Sequence, residues 1–99
     1  MKESYIQTKV NEFARSLGWE VCRLKNKDDP DRLYYRQSIV IFIEFKKPGG
    51  KVSPGQKETH RLLRHHKMNF FLVDTISQGK KIFKERENNE PQNCISGRI

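Results

Sequence analysis

Cysteine is scarce in this 99-residue chain. Cys22 and Cys94 stand far apart, and no Cys-x-x-Cys spacing exists. That excludes a disulfide framework and a zinc ribbon, and it leaves two free thiols suited to a reducing cytosol. Long apolar runs are also missing. None approaches the ~18 residues that a membrane span requires, and Met1-Lys2-Glu3-Ser4 has none of the character of a signal peptide. There are no internal repeats and no low-complexity blocks, so neither a solenoid nor a linker-rich chain is indicated. Gly49-Gly50-Lys51 is followed by Val52, and the Walker spacing Gly-x4-Gly-Lys-Ser/Thr is absent. His60, His65 and His66 have no second ligand cluster nearby, which argues against zinc; a basic helix facing a polyanion explains them. Acid is the scarcer charge. Twelve Asp+Glu stand against 20 Lys+Arg, for a net charge of +8 and a pI near 9.7. Such an excess favours a polyanionic partner, most commonly nucleic acid. The length suits one small domain with a modest core.

Residues 3–17 carry Ile6, Val10, Phe13, Ala14 and Leu17 at helical spacing, and Gly18 is a good stop. On this helix Glu3 falls on the inward face and Glu12 on the outward one. Residues 19–24 read as a first strand. Residues 25–30 form a polar loop, and Arg32 to Arg36 a second strand. Gln37-Ser38 makes a tight connection that lacks the Asn-Gly chemistry of the favoured hairpin turns. Ile39 to Lys46 is apolar on both faces and should be central. Ser53-Pro54-Gly55-Gln56 is a strong helix start, with Ser53 as N-cap, Pro54 at N1 and Gln56 completing a capping box. That helix should run to about Lys67 with Leu62 and Leu63 inward. Asn69 to Asp74 reads as a fourth strand. Ser77-Gln78-Gly79 reads as a turn, and Lys80 to Glu87 is ambiguous between helix and strand. Residues 88–99 read as a polar tail. The order α-β-β-β-α-β predicts an α/β fold: an antiparallel meander, then a helical crossover to a strand parallel to the third.

Chemistry concentrates where the central strand loses its apolar pattern. Glu44 and Lys46 are two apart and share a face. Charge at the end of a core strand is costly unless it is paired or binds something. Asp31 can reach the same end if strands two and three pair antiparallel. Two carboxylates and an amine would then share one cleft, and carboxylate oxygens are what Mg²⁺ and Mn²⁺ prefer. Gln56 has a sufficient structural role in its capping box, yet its helix begins close to this end.

Pro30-Asp31-Arg32, Ile43-Glu44-Phe45-Lys46 and Ser53-Pro54-Gly55-Gln56, in that order, resemble the virus-type replication-repair nuclease (VRR-NUC) branch of the PD-(D/E)XK nucleases. The resemblance spans residues 3–76, within a nuclease domain over residues 1–87, and implies a restriction-endonuclease-like core with helices flanking a mixed sheet. It departs from the branch where Asp28-Asp29 replaces a usual Gly before Pro-Asp, which adds negative charge near the metal. The resemblance implies that Asp31 and Glu44 bind Mg²⁺ or Mn²⁺, joined by the Phe45 backbone carbonyl. It implies that Glu3 completes the metal site directly or through water. Lys46 would orient or deprotonate the attacking water, or stay cationic and stabilise the transition state. Gln56 would position Lys46 or the scissile phosphate.

Lys25, Lys27, Arg32, Arg36, Lys47, Lys51, Lys57, Arg61 and Arg64 are candidates for backbone phosphate contacts. No base-reading module is present, so shape recognition is expected over sequence readout. One active site cuts one strand, and a two-fold dimer would match the symmetry of a four-way junction. Stand-alone members of the branch resemble phage or bacterial Holliday-junction resolvases. The expectation is therefore a cytoplasmic, homodimeric, metal-dependent endodeoxyribonuclease of branched DNA. The competing readings are a flap nuclease, a non-catalytic nucleic-acid-binding module, and an adaptor for an acidic protein.

Overall fold

The computed structural model describes residues 1–89. The elements are α1 (Glu3–Ser16), β1 (Glu20–Arg23), β2 (Arg32–Arg36), β3 (Ile39–Phe45), α2 (Pro54–His65), β4 (Asn69–Val73) and α3 (Ile76–Asn89). Of the tail expected over residues 88–99, the first two close α3 and the rest lie outside the described residues. One sheet has the order β1-β2-β3-β4. The first three strands form the antiparallel meander, and β4 joins β3 in parallel through α2. The expected mixed sheet is therefore present, with β3 internal and a third helix added. Among the described residues no helix is long and apolar enough to cross a membrane.

Alternation along β3 sorts the layers. Ile41, Ile43 and Phe45 are fully buried against Ile6, Val10 and Ala14 of α1 and against Ile82 and Phe83 of α3. Phe83 meets Trp19 and Tyr34 edge-on, at ring separations of 5.3 and 5.0 Å. Such tilted pairs add to the area that large rings bury. The other face of the sheet carries α2. There the buried residue is His60, whose ring lies 4.3 Å from that of Phe70. Leu62, expected inward, is 42% exposed, and Leu63 is only half buried. α2 presents His60 to the sheet, and Leu62, two residues on and therefore about 200° around the helix, falls on the solvent side.

The turn expected at Ser77-Gln78-Gly79 lies instead within the first turn of α3. Thr75 caps it. Its Oγ1 accepts from the Gln78 backbone N–H at 3.1 Å, while the Gln78 side chain accepts from the Asp74 N–H at 2.9 Å. Gly79 is buried where α3 crosses α1, and a Cβ there would lie 2.4 Å from a methyl of Val10. The glycine is a close-approach residue of a helix, not a turn residue. The true tight turn is Gln37-Ser38, where φ is 48° and 74°. Two successive positive φ values mark a primed hairpin turn built without the residues that adopt it cheaply.

Two stability changes are expected, both readable by urea unfolding. Gly79→Ala should cost about 1–3 kcal/mol by overpacking. Adding Val10→Ala should recover part of that loss, with a coupling energy above about 0.5 kcal/mol. Ser38→Gly should stabilise by about 0.5–1 kcal/mol, because glycine accepts the observed φ without strain.

Candidate active site

The β2–β3 register pairs Arg32 with Ile43, so the preceding residue, Asp31, arrives opposite Glu44. The Leu24 N–H donates to the Asp31 carbonyl at 3.2 Å, which extends the ladder by one step. Pro30 is buried just before it. The Asp31 side chain is pinned to the end of β3: its Oδ2 accepts the Phe45 N–H at 2.7 Å. Phe45 itself is fully buried in the core, so this end of β3 is rigidly placed.

Glu44 is 2% exposed. Its Oε2 accepts from Gln56 Nε2 at 2.8 Å and lies 3.3 Å from Lys46 Nζ. Gln56 Oε1 in turn accepts from Lys46 Nζ at 3.0 Å and from the Ser53 N–H at 3.1 Å. The capping box and the charged cluster therefore share one side chain. Because the box holds Gln56, the amide is already aimed when it meets Glu44 and Lys46. The other carboxylate oxygen, Glu44 Oε1, is buried with no hydrogen-bond partner. A buried acceptor left unpaired costs about 1–3 kcal/mol or more when charged.

Electrostatics report the same crowding. Burial, followed by the Asp31 charge, pushes the Glu44 carboxyl up to about 7, against an opposing pull from Lys46. Glu3 at the start of α1 is half buried. Its carboxyl is raised first by burial and then by Asp31, while Lys46 and Lys47 pull it down. Among the described residues no three His, Cys, Asp or Glu converge tightly enough to hold a metal ion. Asp31 and Glu44 are brought to one strand end, and Glu3 stands within electrostatic reach without joining them. A hard divalent cation still fits what is present. The donors are carboxylate oxygens, one of them is orphaned, and carboxylates are the preferred ligands of Mg²⁺ and Mn²⁺.

Asp28, one of the two acids in place of the usual glycine, is directed elsewhere. Its carboxyl atoms lie 2.5 Å from where a Cβ on Gly55 would stand, in the first turn of α2. Negative charge is favourable there, and the loop is docked on the helix that carries Gln56. Lys25, Lys27, Lys47, Lys51 and Lys57 are exposed. Arg61 is exposed but paired with Glu58 at 2.7 Å, and Arg64 lies over the Phe70 ring. Arg36 is drawn away from the site. Its guanidinium stacks on Trp19, donates to the Leu17 carbonyl at 2.7 Å and pairs with Glu87. His60 is no surface cation either: burial, then Arg64 and Lys46, lowers its pKa and favours the neutral ring. Sequence spacing hid this, because His60 shares a helical face with Gln56 and nothing in a single sequence says that face is covered.

The raised Glu44 carboxyl has a signed consequence. Its folded-state value of about 7 exceeds the ordinary 4.5, so the folded protein keeps a proton that the unfolded chain releases. That contribution to stability is complete below the ordinary value and is lost as pH rises through about 7. In metal-free buffer, Glu44→Gln should therefore melt several degrees above wild type at about pH 8.5 and close to it at about pH 5. Melting curves at the two pH values, recorded by circular dichroism, give the comparison. Equal shifts at both would show that the buried charge is not the cause.

No family model matches the chain, and no curated protein matches it. A solved structure described as a VRR_NUC domain superposes with a TM-score of 0.75 and 26% identity, over 83% of this chain and 94% of that one. The fold, and the order in which Asp31, Glu44, Lys46 and Gln56 occur along it, are those of a VRR-NUC domain, a nuclease fold of the PD-(D/E)XK type.

Proposed function

We propose that this nuclease domain is a divalent-metal-dependent endodeoxyribonuclease of branched DNA, acting as a homodimer on four-way junctions. The observation that carries the metal dependence is Glu44 Oε1, a buried carboxylate oxygen without a partner beside Asp31. Asp31 and Glu44 would hold Mg²⁺ or Mn²⁺ with the Phe45 backbone carbonyl, and Glu3 would act through water. When bound, the cation supplies charge neutralisation at a phosphate oxygen and lowers the pKa of a coordinated water.

The side chains of the protein do the rest. Gln56 divides its two ends between Glu44 and Lys46, so it keeps the ammonium beside the carboxylate it would otherwise leave. Lys46 is thereby available to orient the attacking water and to stabilise negative charge growing on the phosphate. The exposed Lys25, Lys27, Lys47, Lys51 and Lys57, with Arg32 and Arg61, take backbone phosphates. Dimerisation is supported by Leu62, Met68 and Leu72, which are 42%, 40% and 45% exposed on α2, on the following turn and on the terminal strand β4. A bacterial or phage cytoplasm is the setting that this reading implies.

Four-way, flap and linear DNA, incubated side by side in Mg²⁺, Mn²⁺ and EDTA, provide the test. Paired symmetric nicks in the junction are expected with either metal and none in EDTA. Asp31→Asn and Lys46→Ala should each slow cutting by roughly 10²–10³-fold or more. Sedimentation equilibrium should return twice the 11.8 kDa chain mass. A single nick in the flap from a monomer would replace the resolvase with a flap nuclease. Binding that ignores both the metal and Asp31→Asn would remove the catalytic reading altogether.

A further inference from the structure

On the α1 side of the sheet, next to Asp31, lies a second feature that the cleavage chemistry does not use. Ser4, Gln7, Thr8 and Asn11 recur at helical spacing and form a polar stripe on α1. They face Arg23, Leu24, Asp31 and Arg32 across a cavity of about 360 Å³. That volume lies in the range of clefts that hold small ligands, roughly 300–1,000 Å³.

The cavity is built from donors. Arg23 on β1 and Arg32 on β2 are partners in register, so two guanidinium side chains sit opposite one another on one face. Like charges in such a pair destabilise a sheet. Neither arginine has an ion-pair partner among the described residues, and Arg32 Nε is buried with no hydrogen bond. Asn11 is buried at 7% exposure, and its Oδ1 accepts the Tyr34 hydroxyl at 2.5 Å. With its oxygen committed, what Asn11 offers to the cavity is its NH₂ group. Two hydroxyls and the Gln7 amide complete the wall. The single carboxylate, Asp31, stands at the boundary with the catalytic cluster.

We infer that this cavity is a phosphate subsite, in which Arg23 and Arg32 clamp a DNA phosphate neighbouring the one to be cut. An anion with several acceptor oxygens removes the repulsion between the arginines, satisfies the orphaned Nε–H and uses the fork geometry of both guanidiniums. Because Asp31 lines this cavity and also reaches the end of β3 beside Glu44, a phosphate held here would belong to the strand that passes the catalytic carboxylates. The assignment of that phosphate to DNA rests on the nuclease reading; the anion chemistry does not.

The probe is inorganic phosphate, titrated into the full chain in EDTA at constant ionic strength, with chloride as control. Melting temperature and backbone amide shifts are recorded, and no cleavage is involved. Wild type should be stabilised, with shifts centred on Arg23, Arg32 and the α1 stripe. Arg23→Gln and Arg32→Gln should each weaken phosphate binding by 5-fold or more. In phosphate-free buffer both should melt no lower than wild type, because a repulsive pair has been broken. Asp31→Asn should bind phosphate more tightly, even if it proves that the cluster cuts nothing. Thymidine 5′-monophosphate and the dinucleotide dTpdT then distinguish a terminal phosphate from an internal phosphodiester as the group that is held. On DNA, Arg23→Gln should reduce the salt slope of binding by about 1 and raise KM while leaving kcat within a few-fold. An equal phosphate response in wild type and both arginine variants would overturn the subsite, as a generally basic surface predicts that result. So would a lower melting point for Arg23→Gln in phosphate-free buffer with no change in phosphate binding.

Discussion

A carboxylate buried at the end of a core strand has few stable options, and Glu44 is such a carboxylate. Only 2% of the residue is exposed, and one of its oxygens has no partner. The other oxygen is held by Gln56 and approached by Lys46. Desolvation and the neighbouring Asp31 charge both oppose ionisation, and they outweigh the lysine. The side chain therefore stands between its protonated and charged forms at near-neutral pH. This single constraint explains why Asp31 must be pinned by the Phe45 N–H and why Gln56 must be aimed before it arrives.

Holding that geometry is the work of the rest of the fold. β3 cannot shift, because Ile41, Ile43 and Phe45 are locked against α1 and α3 on the face opposite Glu44. The α1–α3 contact in turn depends on Gly79, whose missing side chain lets Val10 close on the helix backbone. α2 is anchored twice in its first turn, by the Ser53–Gln56 capping box and by Asp28 lying on Gly55. In so small a domain, helix capping and site geometry are shared among the same residues. A change at Ser53 or Gly55 would register at Glu44 without touching it.

Legibility in the sequence tracks how local each interaction is. The capping box, the apolar run of β3 and the alternation that puts Glu44 beside Lys46 are short-range patterns, and the structure has all of them. Asp31 needed only the assumption of antiparallel pairing, which the register bears out. The α3 helix was hidden by a glycine whose reason is a distant valine, although Thr75 and Gln78 repeat the spacing of Ser53 and Gln56. His60 and Leu62 exchanged places because the depth of a helix face is set by the partner it lands on. Arg36 carries the same charge as its neighbours, but Trp19, Leu17 and Glu87 reach it from three other elements. The Arg23–Arg32 pair was legible only once strand register was known.

Register also reveals a shared logic in the two unusual rows of the sheet. One row brings Asp31 to Glu44, two carboxyl groups whose repulsion helps hold a proton on Glu44. The adjacent row brings Arg23 to Arg32, two positive groups that repel. Each alone opposes folding, since like charges set opposite each other in a sheet are unfavourable. Successive strand residues leave on opposite faces, so Arg32 and Glu44 point apart, and Asp31, at the strand end, lines the cavity of the basic row as well as meeting Glu44. The acidic row would gain by taking a cation, as proposed for Asp31 and Glu44, and the basic row by taking an anion. A metal and a phosphodiester are the two charged components of phosphoryl-transfer chemistry. On the proposed reading each repulsive row would be relieved by one of these two components, so binding of either would stabilise the fold by mass action.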